Sequence, residues 1–414
     1  MTTTSELAEL FVGPAVVVDD KIHEKGSGIE KIVDQLRAAN IPLITAKTLP
    51  APEQIKHWRG FSMIVLDWEL FPDLGDPGEL PSGISLPETL KDENSKAVSE
   101  FIQRLLDELY CPIFIFSNES VDAIWAALDQ RLDGHSEQLR ARILVRSKSE
   151  LDDSLLTEVG GWLAEHPAIY ALKSWEAGYE DAKKTLFADL QKSSLSWPRI
   201  LWSTSIDDEV NPHFELTETI SRNLLHRFAP LTFDKDILML DSGDTTKEAL
   251  RQVLHDQAVV RGDRLHPDVL MPGDFFFAGV AENEVPAQIL INLTSACDLV
   301  PRGGQDPKDL RMVMIQADLV KDDQLASDKA FANTLKESEA SHSQLLYLLT
   351  NSGHPYIVKF KNWSLSKWGD QQPLRQGRLL DPHVTQLQQK FGLYFQRQGL
   401  SRLPDDFYYR PATP

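Results

Sequence analysis

The chain has 414 residues and a formal net charge of −20 at pH 7, with 42% hydrophobic and 25% charged residues. This composition is typical of a globular protein rather than a disordered one, and the length predicts two or three domains. The strong acidity argues against a protein whose whole surface binds nucleic acid or anionic lipid.

The amino terminus and the cysteine content predict a cytoplasmic protein. The first residues, MTTTSELAEL, lack the basic region and apolar core of a signal peptide. No apolar stretch approaches the ~20 residues that span a bilayer, so we expect no membrane partner. The cysteines are Cys111 and Cys297 alone, which argues for a reducing compartment and against a disulfide framework or metal cluster.

Apolar strand-like runs alternate with helical segments over residues 11–150. The runs are GPAVVVDD, IPLITAKTL, FSMIVLDWEL, CPIFIFSNES and RARILVRSK. This alternation predicts a doubly wound, five-stranded parallel sheet with helices on both faces. A long Gly/Pro-rich loop is predicted before the amphipathic helix SKAVSEFIQRLLDELY. We assign residues 1–152 to this α/β domain.

Polar residues follow four of these runs at the point where each strand ends. The first run ends in Asp19 and Asp20, and the third ends in Asp67. The fourth ends at Ser117, and the fifth is followed by Lys148. Ligands of open parallel sheets bind at the carboxyl ends of the strands, so we expect these side chains to meet.

The predicted cluster has the chemistry of a magnesium-dependent phosphoryl acceptor. Three neighbouring carboxylates repel one another unless a cation is present, and hard oxygen ligands suit Mg²⁺. A metal beside Asp67 leaves one carboxylate oxygen free to attack phosphorus. The hydroxyl of Ser117 and the ammonium of Lys148 would stabilise the phosphoryl oxygens.

Simpler explanations exist for each residue alone. Asp19 and Asp20 could form a solvated turn. Ser117 could cap the helix that begins near Val121, and Lys148 could be an ordinary surface lysine.

The five positions resemble the receiver domain of two-component response regulators, which has a flavodoxin/CheY-like fold. The resemblance covers about the first third of the chain. It implies that Asp67 is the phospho-acceptor and that Asp19 and Asp20 form the acidic pair. It also implies that Ser117 is the switch hydroxyl and Lys148 the receiver lysine.

The resemblance further implies that the backbone carbonyl of Glu69 is the remaining protein ligand for Mg²⁺. A histidine kinase or another phosphodonor is the implied partner. Two positions depart from the receiver pattern. Ser149 stands where receivers usually have proline, and Val145 stands where they usually have an aromatic signalling residue.

The rest of the chain is predicted to form two further domains. Helical patterns dominate residues 153–262. Residues 263–414 contain short strand-like runs that predict a β-rich, barrel-like domain with two closing helices, KAFANTLKESEASHSQLLYLLTN and PHVTQLQQKFGLYFQRQGL. The whole layout resembles bacterial "response receiver" proteins of conflict and phage-defence loci. The carrying segments are LKSWEAGYEDAKKTLFADL, PGDFFF, ILINLTSACDL and KFGLYFQRQGLSRLP.

One segment of the tail, YIVKFKNWSLSKWGDQQPLRQGRL, interleaves cations with aromatic residues and could contact nucleic acid or a partner. The residues proposed for this contact are Lys359, Lys361, Trp363, Lys367, Trp368, Arg375 and Arg378. The simpler explanation, which we favour, is a half-buried strand pair whose lysines cover its solvent face.

Two other features are interpreted structurally. In TSACDL, Cys297 precedes Asp298, and we favour a buried structural cysteine over a nucleophile. The tryptophans of the helical region are predicted to lie in the helical core. They are Trp162, Trp175, Trp197 and Trp202.

Two hypotheses for function follow. In the first, the chain is a response-regulator-like signalling protein, phosphorylated on Asp67, that acts through its helical and β-rich domains in bacterial defence or stress regulation. Its partners would be a phosphodonor, a defence-system protein and a second copy of itself. In the second, the receiver cannot be phosphorylated, and the C-terminal domain binds nucleic acid or acts as a defence effector.

Overall fold

The computed structural model describes most of the chain. The described residues are 9–71, 87–132, 140–148, 155–240, 246–278, 286–320, 343–346 and 356–396. The chain forms two compact units, which are Met1–Leu195 with Ile220–Asp241 and Ser196–Thr219 with Ser242–Pro414. The division into residues 1–152, 153–262 and 263–414 stays a prediction.

The first unit is built around a parallel sheet. Its strands are β1 (Ala15–Val18), β2 (Leu43–Ala46), β3 (Met63–Leu66), β4 (Ile113–Ser117) and β5 (Ile143–Ser147). The order β2-β1-β3-β4-β5, with every neighbouring pair parallel, is consistent with a flavodoxin/CheY-like fold. β1, β3 and β4 are buried along their whole length, as in sheets covered on both faces. The predicted five-stranded parallel sheet is confirmed.

Helices cover both faces of this sheet. They are α1 (Gly28–Ala38), α2 (Pro52–Ile55), α3 (Glu88–Glu108), α4 (Val121–Arg131) and α5 (Leu155–Glu165). α1 and α5 bury their apolar residues in the cluster that contains Val17 and Phe114. α3 and α4 pack on the opposite face, in the cluster that contains Val16 and Ile115. Successive residues of a strand thus point to opposite faces of the sheet and pack into the two different core clusters.

α3 begins earlier than its apolar pattern predicts. The amphipathic signal starts at Ser95, whereas the helix starts at Glu88. Residues 88–94, ETLKDEN, are exposed or half-buried, so no apolar periodicity marks them. Glu, Lys and Leu are good helix formers, which accounts for the extra turns. Residues 72–86 of the predicted loop lie outside the described residues.

α5 packs on the sheet itself. Its Leu155, Val159 and Trp162 are buried, and the Trp162 ring meets the Phe114 ring edge-on at 5.4 Å. A boundary at residue 152 therefore separates this helix from the sheet face that it covers. The helix belongs to the α/β core, although its sequence pattern resembles that of the helices that follow it.

The predicted helical middle region is confirmed. Its helices are α6 (Pro167–Ser193), α7 (Trp197–Asp207), α8 (Pro212–Arg227), α9 (Lys235–Leu238) and α10 (Lys247–Ala258). Buried Ile169 and Tyr170 of α6 and Ile237 of α9 join the core cluster of the first unit.

The tryptophan prediction is right for one residue and wrong for two. Trp162 is buried, whereas Trp175 is 49% and Trp202 is 36% exposed. Trp197 is half-buried. The Trp175 ring stacks on the Tyr179 ring of the same helix, with 5.3 Å between ring centroids, and on the Phe228 ring at 5.4 Å, while nearly half of its surface stays exposed.

The second unit contains one antiparallel sheet. Its strands are β6 (Val259–Arg261), β7 (Asp274–Phe277), β8 (Gln288–Asn292), β9 (Arg311–Leu319), β10 (Ser343–Leu346), β11 (Tyr356–Lys367) and β12 (Arg375–Leu379). Their order is β10-β11-β9-β8-β7-β12-β6. The β-rich architecture is confirmed. Among the described strands, no pairing joins the two ends of this order, so a closed barrel is not observed.

Short helices accompany this sheet. α11 (Trp368–Gln371) follows β11, and α12 (His383–Gln396) confirms the second closing helix and buries Val384 and Leu387 against the sheet. The first closing helix was predicted over residues 329–351. It lies outside the described residues except at 343–346, which form β10 instead. Among the described helices, none has the length and apolar character needed to cross a bilayer.

Candidate functional site

Three carboxylates meet at the carboxyl edge of the parallel sheet, between β1 and β3. Asp19 and Asp20 directly follow β1, and Asp67 directly follows β3. The N–H of Asp67 donates to the Val18 carbonyl at 2.9 Å, so the strand ladder holds the end of β3 against the end of β1. One carboxylate oxygen from each residue lies within 4.8 Å of the others. Asp19 is fully buried and Asp67 is 5% exposed.

Lys148 joins this acidic cluster from the end of β5. Its Nζ lies 2.8 Å from Asp19 Oδ2 and 2.6 Å from Asp67 Oδ2. Its backbone N–H donates to the Ser117 carbonyl at 2.8 Å, which ties the residue to the end of β4. A Cβ added at Gly28 would lie 3.5 Å from Lys148 Cδ, so the start of α1 packs along the aliphatic stem. The structure therefore brings Lys148 together with the carboxylates predicted to surround it.

Burial and the charges of neighbouring groups shift the pKa values of Asp67 and Lys148. Burial raises the pKa of Asp67 to about 7, with Lys148 opposing the rise and Asp19 adding to it. For Lys148, burial lowers the pKa, but the charges and hydrogen bonds of Asp67 and Asp19 outweigh it and leave the pKa raised. The lysine thus stays charged, whereas the pKa of Asp67 lies close to neutral pH.

Asp20 contributes a carboxylate oxygen with an unmet bonding capacity. Its Oδ2 accepts a hydrogen bond from the Phe71 N–H at 3.1 Å. Its Oδ1 is buried and has no hydrogen-bond partner among the described residues. Buried polar atoms are nearly always satisfied, so an orphaned carboxylate oxygen beside two other carboxylates fits the ligand shell of a cation.

The loop after β3 is held by a residue that sequence reasoning missed. Asn94 of α3 donates from Nδ2 to the Trp68 carbonyl at 2.7 Å. Its Oδ1 accepts from the Leu70 N–H at 3.2 Å. Within the loop, the Glu69 N–H donates to Asp67 Oδ1 at 3.2 Å. Asn94 lies in the polar stretch that was predicted as a loop, and no pattern in that stretch indicates that its side chain binds the loop after β3.

Two other predicted site residues, Ser117 and Glu69, lie at the same edge of the sheet. Ser117 is fully buried, and its hydroxyl accepts a hydrogen bond from the Glu119 N–H at 3.1 Å. Burial raises the pKa of the Glu69 side chain, and nearby Glu119 raises it further. Val145 is buried in the sheet, and Ser149 lies outside the described residues. The ligand role of the Glu69 carbonyl stays a prediction.

The residues of the acidic cluster fit a hard divalent cation. All of the donors are carboxylate oxygens, which Mg²⁺ prefers, and one of them has no other partner. Asp19, Asp20 and Asp67 could therefore hold a metal ion. The ammonium group of Lys148 places a positive charge beside two of these carboxylates, those of Asp19 and Asp67.

The lysines of the cationic segment in the second unit are largely paired with acids. Lys359 lies 2.8 Å from Asp318, and Lys367 lies 2.8 Å from Asp309. Lys361 is exposed on β11. Paired lysines on an exposed strand face match the structural interpretation of this segment.

Both arginines of the same segment form ion pairs with one buried carboxylate, that of Asp274. Arg378 Nε lies 2.7 Å from the fully buried Asp274, and Arg375 lies 3.5 Å from the same carboxylate. Trp368 is buried, so its ring is not free to stack on a base, whereas Trp363 is 45% exposed. Contact of this segment with nucleic acid or a partner stays a prediction, and this geometry weighs against it.

The two cysteines differ from each other in burial. The expectation that Cys297 is buried is wrong: it is exposed, because residues 296–299 leave β8 in a 3₁₀ turn. Cys111 is buried, and burial raises the pKa of its thiol to about 11, with Arg142 opposing the rise. A thiol held in this neutral form is not an activated nucleophile.

No family model, curated protein or solved structure matches the chain.

Proposed function

We propose that the first unit is a receiver-like phosphoryl acceptor that uses Mg²⁺ and transfers a phosphoryl group to Asp67. The observation that carries the proposal is the set of contacts at the sheet edge. Asp19, Asp20 and Asp67 offer mutually adjacent oxygens, and Lys148 bonds to two of them. The order of these residues along a flavodoxin-like sheet supports the same proposal.

In this mechanism an oxygen of Asp67 attacks the phosphorus of a small phosphodonor or a phosphohistidine. The bond from phosphorus to the donor oxygen or nitrogen breaks, and the donor leaves with that electron pair. Lys148 stands against Asp67 Oδ2 and supplies positive charge where phosphoryl oxygens arrive. The attacking carboxylate must be ionised, and the cation and Lys148 together favour that form.

Asp19, Asp20 and Asp67 would hold the ion, with the Glu69 carbonyl as a further ligand. Bound Mg²⁺ supplies charge neutralisation between the carboxylates and the incoming phosphoryl oxygens. The Ser117 hydroxyl, at the end of the neighbouring strand, is the residue proposed to bind a phosphoryl oxygen in the product.

The proposed role of the whole chain is signalling. A histidine kinase or another phosphodonor phosphorylates Asp67, and the added charge changes the contacts of the first unit with its partners. Output through the helical and β-rich regions, in bacterial defence or stress regulation, is the role that the resemblance to receiver proteins favours. Val145 lies in place of the aromatic signalling residue, so this output does not use a rotating ring.

The experiment is phosphorylation of the full chain with acetyl phosphate and Mg²⁺. We expect one acid-labile and base-labile acyl-phosphate adduct by intact mass, dependent on the metal and absent in Asp67→Asn. Asp34→Asn is the matched control, because Asp34 is an exposed carboxylate that forms a surface ion pair with Arg37. An undiminished adduct in Asp67→Asn would overturn the assignment of Asp67 as the acceptor. Absence of any adduct would favour the phosphorylation-incompetent scaffold.

A further inference from the structure

The side-chain amide of Asn94 holds the loop after β3 at two consecutive peptide groups. Its Nδ2 donates to the Trp68 carbonyl at 2.7 Å, and its Oδ1 accepts from the Leu70 N–H at 3.2 Å. These two partners flank Glu69, whose carbonyl is the proposed additional ligand of the cation. Both ends of the amide are used, so its orientation is defined by the loop.

The first of these peptide groups shows which side of the loop faces the acidic cluster. The peptide between Trp68 and Glu69 is trans, so its carbonyl and N–H point in opposite directions. The carbonyl points to Asn94, and the N–H points to Asp67 Oδ1 at 3.2 Å. Asn94 and the Asp67 carboxylate therefore lie on opposite sides of this peptide.

The second peptide group shows where the Glu69 carbonyl points. In the trans peptide between Glu69 and Leu70, the N–H points to Asn94. The Glu69 carbonyl must then point away from Asn94, to the side on which Asp67 lies. We propose that Asn94 is a positioning residue that directs the Glu69 carbonyl into the cation site. This inference rests on the proposed function, because the carbonyl acts only if the site holds a cation.

The rest of the loop is arranged consistently with this role. The three successive N–H groups of residues 69–71 donate to Asp67, Asn94 and Asp20, respectively. Two of these N–H groups therefore donate to carboxylates of the acidic cluster, the third donates to Asn94, and each of the three has a partner.

A positioning role predicts a loss of affinity that depends on the ion. Mg²⁺ requires near-ideal octahedral geometry, whereas Ca²⁺ accepts flexible and irregular coordination. Loss of a residue that only orients a ligand typically weakens metal binding by roughly 10–100-fold. We therefore expect Asn94→Ala to weaken Mg²⁺ binding by about tenfold or more and Ca²⁺ binding clearly less. A merely structural role would lower both affinities equally.

The experiment is calorimetric titration of the full chain with Mg²⁺ and, separately, with Ca²⁺. Lys96→Ala is the matched control, because Lys96 is on the same helix and forms an exposed ion pair with Glu100. Unchanged Mg²⁺ affinity in Asn94→Ala, or an equal loss for both ions, overturns the positioning role while the proposed function stands. A wild-type chain that binds no Mg²⁺ overturns the proposed function and this inference with it.

A second measurement needs no variant and decides the case if Asn94→Ala fails to fold. In wild-type protein labelled with ¹³C at the backbone carbonyl of Glu69, saturating Mg²⁺ should shift the Glu69 resonance. An unshifted Glu69 resonance under conditions where calorimetry shows binding would overturn the inference.

Discussion

At the scale of single residues, Lys148 balances the charge of the acidic cluster. We expect Lys148→Met to destabilise the metal-free protein by about 3 kcal/mol at pH 8, because Asp19 and Asp67 are left buried and facing each other. The loss should be smaller at pH 6, where Asp67 takes up a proton, since burial raises its pKa to about 7. Thermal unfolding at both pH values measures this.

The matched control for that change is Lys31→Met, because Lys31 is exposed on α1. Added Mg²⁺ should restore much of the stability of Lys148→Met, since the ion replaces the missing positive charge. An equal melting temperature for Lys148→Met and the wild type at both pH values would contradict the charge-balancing role.

The raised pKa of Asp67 also makes metal binding depend on pH. The unfolded carboxyl titrates near 3.8 and the folded, metal-free one at about 7, so the folded state holds more protons between these values. The contribution of Asp67 to metal-free stability therefore falls as pH rises through this window. Because the cation needs the ionised form, Mg²⁺ affinity should rise with pH up to about 7 and then level off.

Calorimetric titration in buffers of different ionisation enthalpy measures the proton released when Mg²⁺ binds. We expect release at about pH 6 and little at about pH 8. Asp67→Asn should abolish this pH dependence. Proton release that is unaltered in Asp67→Asn would show that another group titrates.

The residues of the acidic cluster could be predicted because the end of a buried parallel strand is visible in the sequence, where an apolar run gives way to polar residues. Asp19, Asp20, Asp67 and Lys148 each follow a β-rich apolar run, and the carboxyl ends of such runs share one edge. Asn94 could not be predicted in this way. Its contacts depend on the path of a loop 24 residues earlier in the chain, which no periodicity encodes.

At the scale of elements, α5 is part of the α/β core. We expect Trp162→Ala to destabilise the first unit by about 3–5 kcal/mol, because a buried indole packed against Phe114 is lost. Trp175→Ala on α6 is the matched control, since that indole is 49% exposed and should cost less. Amide hydrogen exchange measures the difference. We expect the amides of β4 to exchange faster in the Trp162 variant than in the Trp175 variant. Equal exchange would contradict the assignment of α5 to this core.

The elements were predictable where apolar spacing is strong. The five parallel strands and the apolar face of α1 follow from the sequence pattern, and both are observed. The first turns of α3 and the attachment of α5 did not follow. Polar helix turns have no apolar period, and a helix that covers a sheet has the same amphipathic pattern as one that packs on other helices.

At the scale of the whole molecule, the charge distribution argues against nucleic acid as the ligand. The chain carries a net charge of −20, and Lys359, Lys367 and Arg378 are paired with aspartates. We expect the full chain to show no measurable affinity for labelled DNA or RNA by fluorescence anisotropy at physiological salt. Salt-dependent binding that is lost in Lys359→Ala/Lys361→Ala would instead favour the nucleic-acid hypothesis.

The β-rich character of the tail could be predicted, but its sheet topology could not. Short strands at irregular spacing do not encode which of them pair, and β12 lies between β6 and β7 although more than 100 residues separate it from β6. Long-range pairing of this kind depends on the packing of the whole sheet rather than on any local pattern.

Lys173 of α6 gives the first unit a built-in chemical marker. Its side chain is fully buried; its Nζ donates to the Ser62 carbonyl at 3.3 Å and pairs with Glu176. Amine-reactive reagents modify lysines that water can reach, so this residue should stay unmodified for as long as α6 remains seated on the segment before β3. Its labelling rate, read by peptide mass spectrometry with and without phosphodonor, would report whether phosphorylation at one edge of the sheet releases the helix at the other.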